Sequence, residues 1–139
     1  MPQIVMSSGL GGAHLSAAIV AHLRDVRPAV VGIASAFVSV GGVEWSQDLL
    51  TGVGARSCRL IAGLDYEITH PRALALARDG GWRLRLGNPE SGVFHPKMIV
   101  AGDGFDHEGN VVEPCFAYVG SANLTTAGLG SNADRKSVV

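Results

Sequence analysis

Between Ala13 and Val26 the apolar residues Leu15, Ile19, Val20 and Leu23 recur at helical spacing, and Arg24, Asp25 and Arg27 lead into Pro28, which ends the helix. The pattern then changes period. Ala29 to Val40 (AVVGIASAFVSV) is a continuous, valine-rich apolar run and predicts a buried strand. Gly41-Gly42 breaks that run, and Val43 to Thr51 reads as a helix bounded by the glycines at 52 and 54. Ser57 to Leu64 predicts a second buried strand, and His70 to Asp79 a short alanine- and leucine-rich helix closed by Gly80-Gly81. Trp82 to Leu86 alternates apolar with basic residues, as a strand with one exposed face does. Two further strand-like runs, Val93 to Ala101 and Cys115 to Val119, flank the connector GDGFDHEGNVVEP. Its many turn formers predict a hairpin with a long exposed loop. A last helix is expected from about Leu124.

Helices and strands alternating in this way predict an α/β layered fold. The 139 residues suit one domain with one core, and 47% hydrophobic against 17% charged residues excludes a disordered chain. A formal net charge of −1 gives no global basic signal for nucleic acid or acidic membrane, although a local patch can still act. Cys58 and Cys115 sit in apolar runs and read as small buried hydrophobes of a reducing compartment rather than as a disulfide. The opening MPQIVMSSGLGG lacks the basic and apolar regions of a secretion signal, and no apolar run reaches the roughly 18 residues of a membrane span. A cytoplasmic protein is expected. The last six residues, DRKSVV at 134–139, are what GAT CGG AAG AGC GTC GTG encodes, a common sequencing-adapter stretch. Native sequence is therefore expected to stop at about Ala133 and the natural protein to continue, the alternative being an ordinary polar C-terminal tail.

The chemistry concentrates in two places. In the strand Phe94-His95-Pro96-Lys97-Met98-Ile99-Val100, alternation puts His95 and Lys97 on one face and Phe94, Met98 and Val100 on the other. A lysine among apolar residues in a buried strand needs an anion, because an unpaired buried ammonium is costly. The partner run ends in Val119-Gly120-Ser121-Ala122-Asn123-Leu124, where Gly120 permits a sharp exit and Ser121 and Asn123 can return toward the same pocket. An imidazole, an ammonium, a hydroxyl and a carboxamide suit phosphoryl chemistry. Neutral imidazole is a nucleophile near pH 7, and Lys97 and Asn123 can supply charge and donors to phosphoryl oxygens. No metal or other cofactor is required if two such sets face each other, because a second histidine can protonate the leaving oxygen.

HPK at 95–97 followed by GSANLTTAGLGSN at 120–132 resembles the paired motif of the phospholipase D-like phosphodiesterase superfamily, HxK with a downstream G(G/S)xN. The preceding AVVGIASAFVS and CRLIAGL strands are similar to that family's N-terminal half. The resemblance implies that residues 1–133 form one half-module: an α/β sandwich with a mixed central sheet flanked by helices on both faces. It also implies a hydrolase working through a phosphohistidine, with His95 as nucleophile or acid, Lys97 and Asn123 binding phosphate, and Ser121 as a lesser contact. Only one HxK motif is present, so a second must come from a homodimer or from a further half of the natural chain. The family motif also carries an aspartate five residues after the lysine; here that position is Gly102, and Asp103, one further, is a minor candidate or a plain turn residue.

Substrate is not legible in a motif that recognises only the phosphodiester. Compact bacterial members suggest a nuclease acting on DNA. The alternatives are a phospholipid hydrolase or transferase of the same mechanism, which would favour an apolar groove or interfacial helix, and an inactive binding or dimerisation module. The remaining candidates are weaker. His14 and His22 read as helix-surface residues, His70 as structural, and Trp45 and Trp82 as packing. His107 with Asp103, Asp106 and Glu108 reads as a solvated acidic turn. GLGG at 9–12 before a helix could bind phosphate at the helix N-terminus, but no strand clearly precedes it and no lysine stands at Walker spacing, so that signal is weak. Arg83 and Arg85 face either a substrate groove or solvent.

Overall fold

The computed structural model describes residues 3–6, 12–63, 69–87, 97–120 and 124. Its elements run in the order β1 (Gln3–Met6), α1 (Gly12–Val26), β2 (Val30–Ser35), α2 (Val40–Val53), β3 (Ser57–Gly63), α3 (Pro71–Asp79), β4 (Arg83–Gly87), β5 (Lys97–Gly102), β6 (Gly104–Phe105), β7 (Val111–Val112) and β8 (Phe116–Val119). Six strands form one mixed sheet in the order β1-β8-β5-β2-β3-β4, and β6 pairs with β7 in a separate hairpin. β2, β3 and β4 are mutually parallel, β8 is parallel to β1, and β5 runs antiparallel between β8 and β2. The expected α/β class is observed. The helix expected from about Leu124 and the 134–139 tail lie outside the described residues, apart from Leu124 itself, which bridges to Val38.

Among the described residues the helices lie on one face; whether a helix covers the second face falls to the segment after Leu124, outside the described residues. Each of the three crossovers β1-α1-β2, β2-α2-β3 and β3-α3-β4 advances across the sheet in the same direction. Crossovers between parallel strands are right-handed, so helices change face only when the strand order reverses. Here it does not reverse, and α1 packs on α2 and α2 on α3 as one layer. The core formed by the described residues lies beneath that layer. It comprises Val31 and Ile33 of β2, Cys58, Leu60 and Ala62 of β3, Ile99 and Ala101 of β5 and Phe116 and Tyr118 of β8, against Ile19, Leu23, Val43, Leu50, Val53, Ala73 and Ala77 from the helices. Among the described residues the other face carries only the β6–β7 hairpin, which touches β2 and β5.

Element boundaries differ from the sequence pattern at three points. The apolar run from Ala29 does not continue as a strand to Val40; β2 ends at Ser35 and α2 begins at Val40, with Gly41 and Gly42 inside its first turn. Ser39 explains this, since its side chain accepts a hydrogen bond from the Gly42 amide at 3.1 Å. Such a cap contributes about 1 kcal/mol and offsets the poor helix propensity of glycine. The helix ends at Gly54, whose φ of 76° suits a residue without a Cβ. The strand β1, too short and too close to the terminus to stand out as a pattern, was not expected. His22, read as a surface residue, is half-buried with its ring 6.1 Å from that of Phe116. Other readings stand: Trp82 is core, Trp45 packs against it, and His70 caps α3 through Nδ1, which accepts from the Arg72 amide at 3.1 Å.

Cys58 and Cys115 are free thiols, and burial of Cys58 pushes its pKa far above the ordinary thiol value. The native state therefore keeps a proton that the unfolded chain releases above pH 9.0, so stability falls as pH rises past that point. The contribution of this thiol is about 1.4 kcal/mol per pH unit. Denaturant unfolding between neutral and strongly alkaline pH is expected to show this decline, and to show it shallower in Cys58→Ala. An equally steep decline in the variant would contradict the assignment.

Candidate functional site

The carboxyl ends of β1, β2, β3, β4 and β8 all lie along one edge of the sheet, and antiparallel β5 begins at that edge with Lys97. Ligands of open α/β sheets bind beyond this edge. Lys97 stands in register with Ser35 of β2, and alternation places it on the helix side with Ile99 and Ala101, while Met98 and Val100 point to the open face. The side chain is half-buried, and desolvation lowers its pKa below the ordinary lysine value.

Two chain segments are fastened on either side of Lys97. On the β8 side, the Gly120 amide donates to the Lys97 carbonyl at 3.2 Å. On the β2 side, the Leu124 amide donates to the Ser35 hydroxyl oxygen at 2.9 Å, while that hydroxyl donates to the Phe37 carbonyl at 2.7 Å. The Leu124 carbonyl accepts from the Ser39 amide at 3.0 Å, completing a parallel bridge with Val38. Ser35 and Leu124 are both buried, so loss of this acceptor would leave a buried amide unsatisfied, at about 1–3 kcal/mol. Thr69 performs the same service one strand over. Its hydroxyl donates to the Gly63 carbonyl at 2.6 Å and accepts from the Val38 amide at 3.2 Å.

Of the residues predicted from sequence, Lys97 takes its place at the carboxyl edge, whereas His95, Ser121 and Asn123 lie outside the described residues. Their chain neighbours are described: Lys97 follows His95 by two positions, and Gly120 and Leu124 enclose 121–123. Asp103 is not brought to Lys97. It follows the far end of β5, roughly 20 Å away along the strand, and is exposed, its amide donating to the Val112 carbonyl. Asp106 organises the hairpin turn instead of a cation site, accepting from the Glu108 and Asn110 amides at 2.9 Å each. These bonds, led by that from Asn110, lower its pKa. Among the described residues no three histidine, cysteine or acidic side chains gather as metal ligands. Sequence reasoning missed Ser35 and Thr69. The only signal was a lone serine late in a valine-rich strand run and a threonine just before His-Pro.

No protein-family model matches the chain, and no curated protein matches it.

Gly102 has a structural explanation. A Cβ there would lie 2.6 Å from the Val112 carbonyl oxygen and from Val111 Cγ1, and 2.9 Å from the Glu113 carbonyl oxygen. The returning β6–β7 connector closes against bare backbone at this point. Gly102→Asp is expected to destabilise the protein by about 3 kcal/mol or more, through overpacking plus a buried carboxylate, as read by chemical denaturation. A variant as stable as the parent would show that position 102 tolerates the aspartate of the motif it resembles.

Proposed function

We propose that this chain supplies one half of a metal-independent phosphodiesterase of the phospholipase D-like type, acting on nucleic acid. The observation that carries the reading is Lys97. It is a partly desolvated ammonium at the carboxyl edge, with the two ends of the 121–123 segment fastened on its two sides. The residues two before it and within that segment are an imidazole, a hydroxyl and a carboxamide, which with an ammonium form a donor and nucleophile set suited to phosphoryl oxygens.

In the proposed reaction a ring nitrogen of His95 attacks phosphorus and the P–O bond to the leaving group breaks. The imidazole of a second HxK set, from another copy or a further half of the natural chain, gives its proton to the leaving oxygen. That second imidazole then takes a proton from water, whose oxygen attacks phosphorus and releases His95. Lys97 and Asn123 stabilise the charge on the phosphoryl oxygens in both steps, with Ser121 as a lesser donor. A second reading, a non-catalytic binding or dimerisation module, is favoured by Gly102, where the motif's aspartate is replaced and sterically disfavoured.

The test incubates the purified protein, at its native length, with plasmid DNA, single-stranded DNA and a chromogenic phosphodiester in excess EDTA. His95→Ala is assayed beside it. Cleavage of DNA by the parent and not by the variant is the expected result. Turnover of the chromogenic ester alone would replace nucleic acid with a lipid or other diester as substrate. No turnover of any of the three would move the assignment to the non-catalytic module.

A further inference from the structure

The face of the sheet opposite the helices carries three arginines. Arg59 of β3 and Arg83 of β4 are register partners on neighbouring parallel strands, and Arg85 lies two residues along β4 on the same face. Arg83 and Arg85 are exposed and Arg59 half-buried. Like charges opposed across strands repel, and among the described residues none of the three meets a carboxylate: the ion pairs there are Arg78–Asp79 and His107–Glu108. Arg59 is nevertheless held in place. Its guanidinium lies 5.7 Å from the centroid of the Phe105 ring. It also covers the backbone of Gly109, which has a φ of 90° and where any Cβ would collide with it. Arg59 and Arg85 line a cavity of about 350 Å³ with Ala34, Ile61, Met98 and Val100. Glu108 also lines it, with its carboxylate 3.7 Å from His107.

We infer that this face is a docking surface for single-stranded nucleic acid, distinct from the edge that holds Lys97. The inference rests on the nuclease reading above and extends it to how the strand is held. Arg83 and Arg85 stand roughly 6.6 Å apart along the strand, comparable with successive phosphates of an extended single strand. The Arg59–Phe105 pair and the apolar lining beside it offer a base its stacking surface. An acidic polypeptide would use the charges and leave the apolar cavity unfilled.

The test is fluorescence anisotropy of a labelled oligothymidylate with His95→Ala protein, so that binding is read without cleavage. Arg83→Ala/Arg85→Ala in that background is expected to weaken binding at least about 10-fold at low salt. The log–log salt slope should also fall by about 1.4, at roughly 0.7 per phosphate contact. Both arginines are exposed, and the lysine double variant, which keeps the charge, is expected to retain most of the binding. Gly109→Ala, which displaces the Arg59 guanidinium, should weaken binding as well. Unchanged affinity and slope in the double alanine variant would overturn the proposal, as would equal displacement of the oligonucleotide by polyglutamate. Chemistry is scored separately: the parent cleaving the chromogenic diester while the arginine variant binds DNA normally would remove the docking surface and leave the proposed reaction standing.

Discussion

Every helical crossover described in this chain moves the same way across the sheet, from β1 to β2 to β3 to β4, and the right hand of such crossovers then dictates most of the architecture. Among the described residues all three helices gather on one side, the core is one-sided, and the strand ends of the parallel set collect along one edge. β8 and the antiparallel β5 enter the sheet between β1 and β2, so the strand carrying Lys97 starts where its neighbours stop. A reversal of direction at any crossover would have put a helix on the second face.

The polar joints at this edge are few and short. Ser35 receives the Leu124 amide, Ser39 donates its own amide to the Leu124 carbonyl, and Thr69 ties the β3 end to Val38. They hold the exits of neighbouring strands in fixed relation to Lys97, whose ammonium is partly desolvated. Among the described residues the two faces differ: the helix side holds the core and frames the edge, while the other side carries three arginines and the hairpin wall.

Much of this was legible in the sequence, and the failures have physical causes. Periodicity identified α1, β3, α3 and the β5–β8 pair, because each has a clean apolar period and a glycine or proline stop. The end of β2 was misread because residues 36–40 stay apolar for a different reason: Ala36 and Val38 are buried as a connection, and Ser39 caps a helix. Strand order cannot be read from one sequence, so the side on which the helices lie could not be anticipated. For the candidate site, Lys97 was found through its odd company in an apolar strand. Ser35 and Thr69 were not, because their role depends on which strand ends become neighbours. The alternation of Arg83 and Arg85 was visible, but their partner Arg59 and the glycine beneath it emerge only from the register of β3 with β4 and the fold of the hairpin.

The proposed reaction turns on one step, the covalent bonding of His95 to phosphorus during turnover. That step is tested by rapid alkaline quenching of the protein reacting with a phosphodiester, followed by peptide mass spectrometry, since a phosphoryl group on imidazole survives in base. An adduct is expected on His95, or on the paired histidine of the second set, and less of it when Lys97 or Asn123 is replaced. Turnover with no adduct on either histidine, or with undiminished turnover in His95→Ala, would contradict the phosphohistidine route.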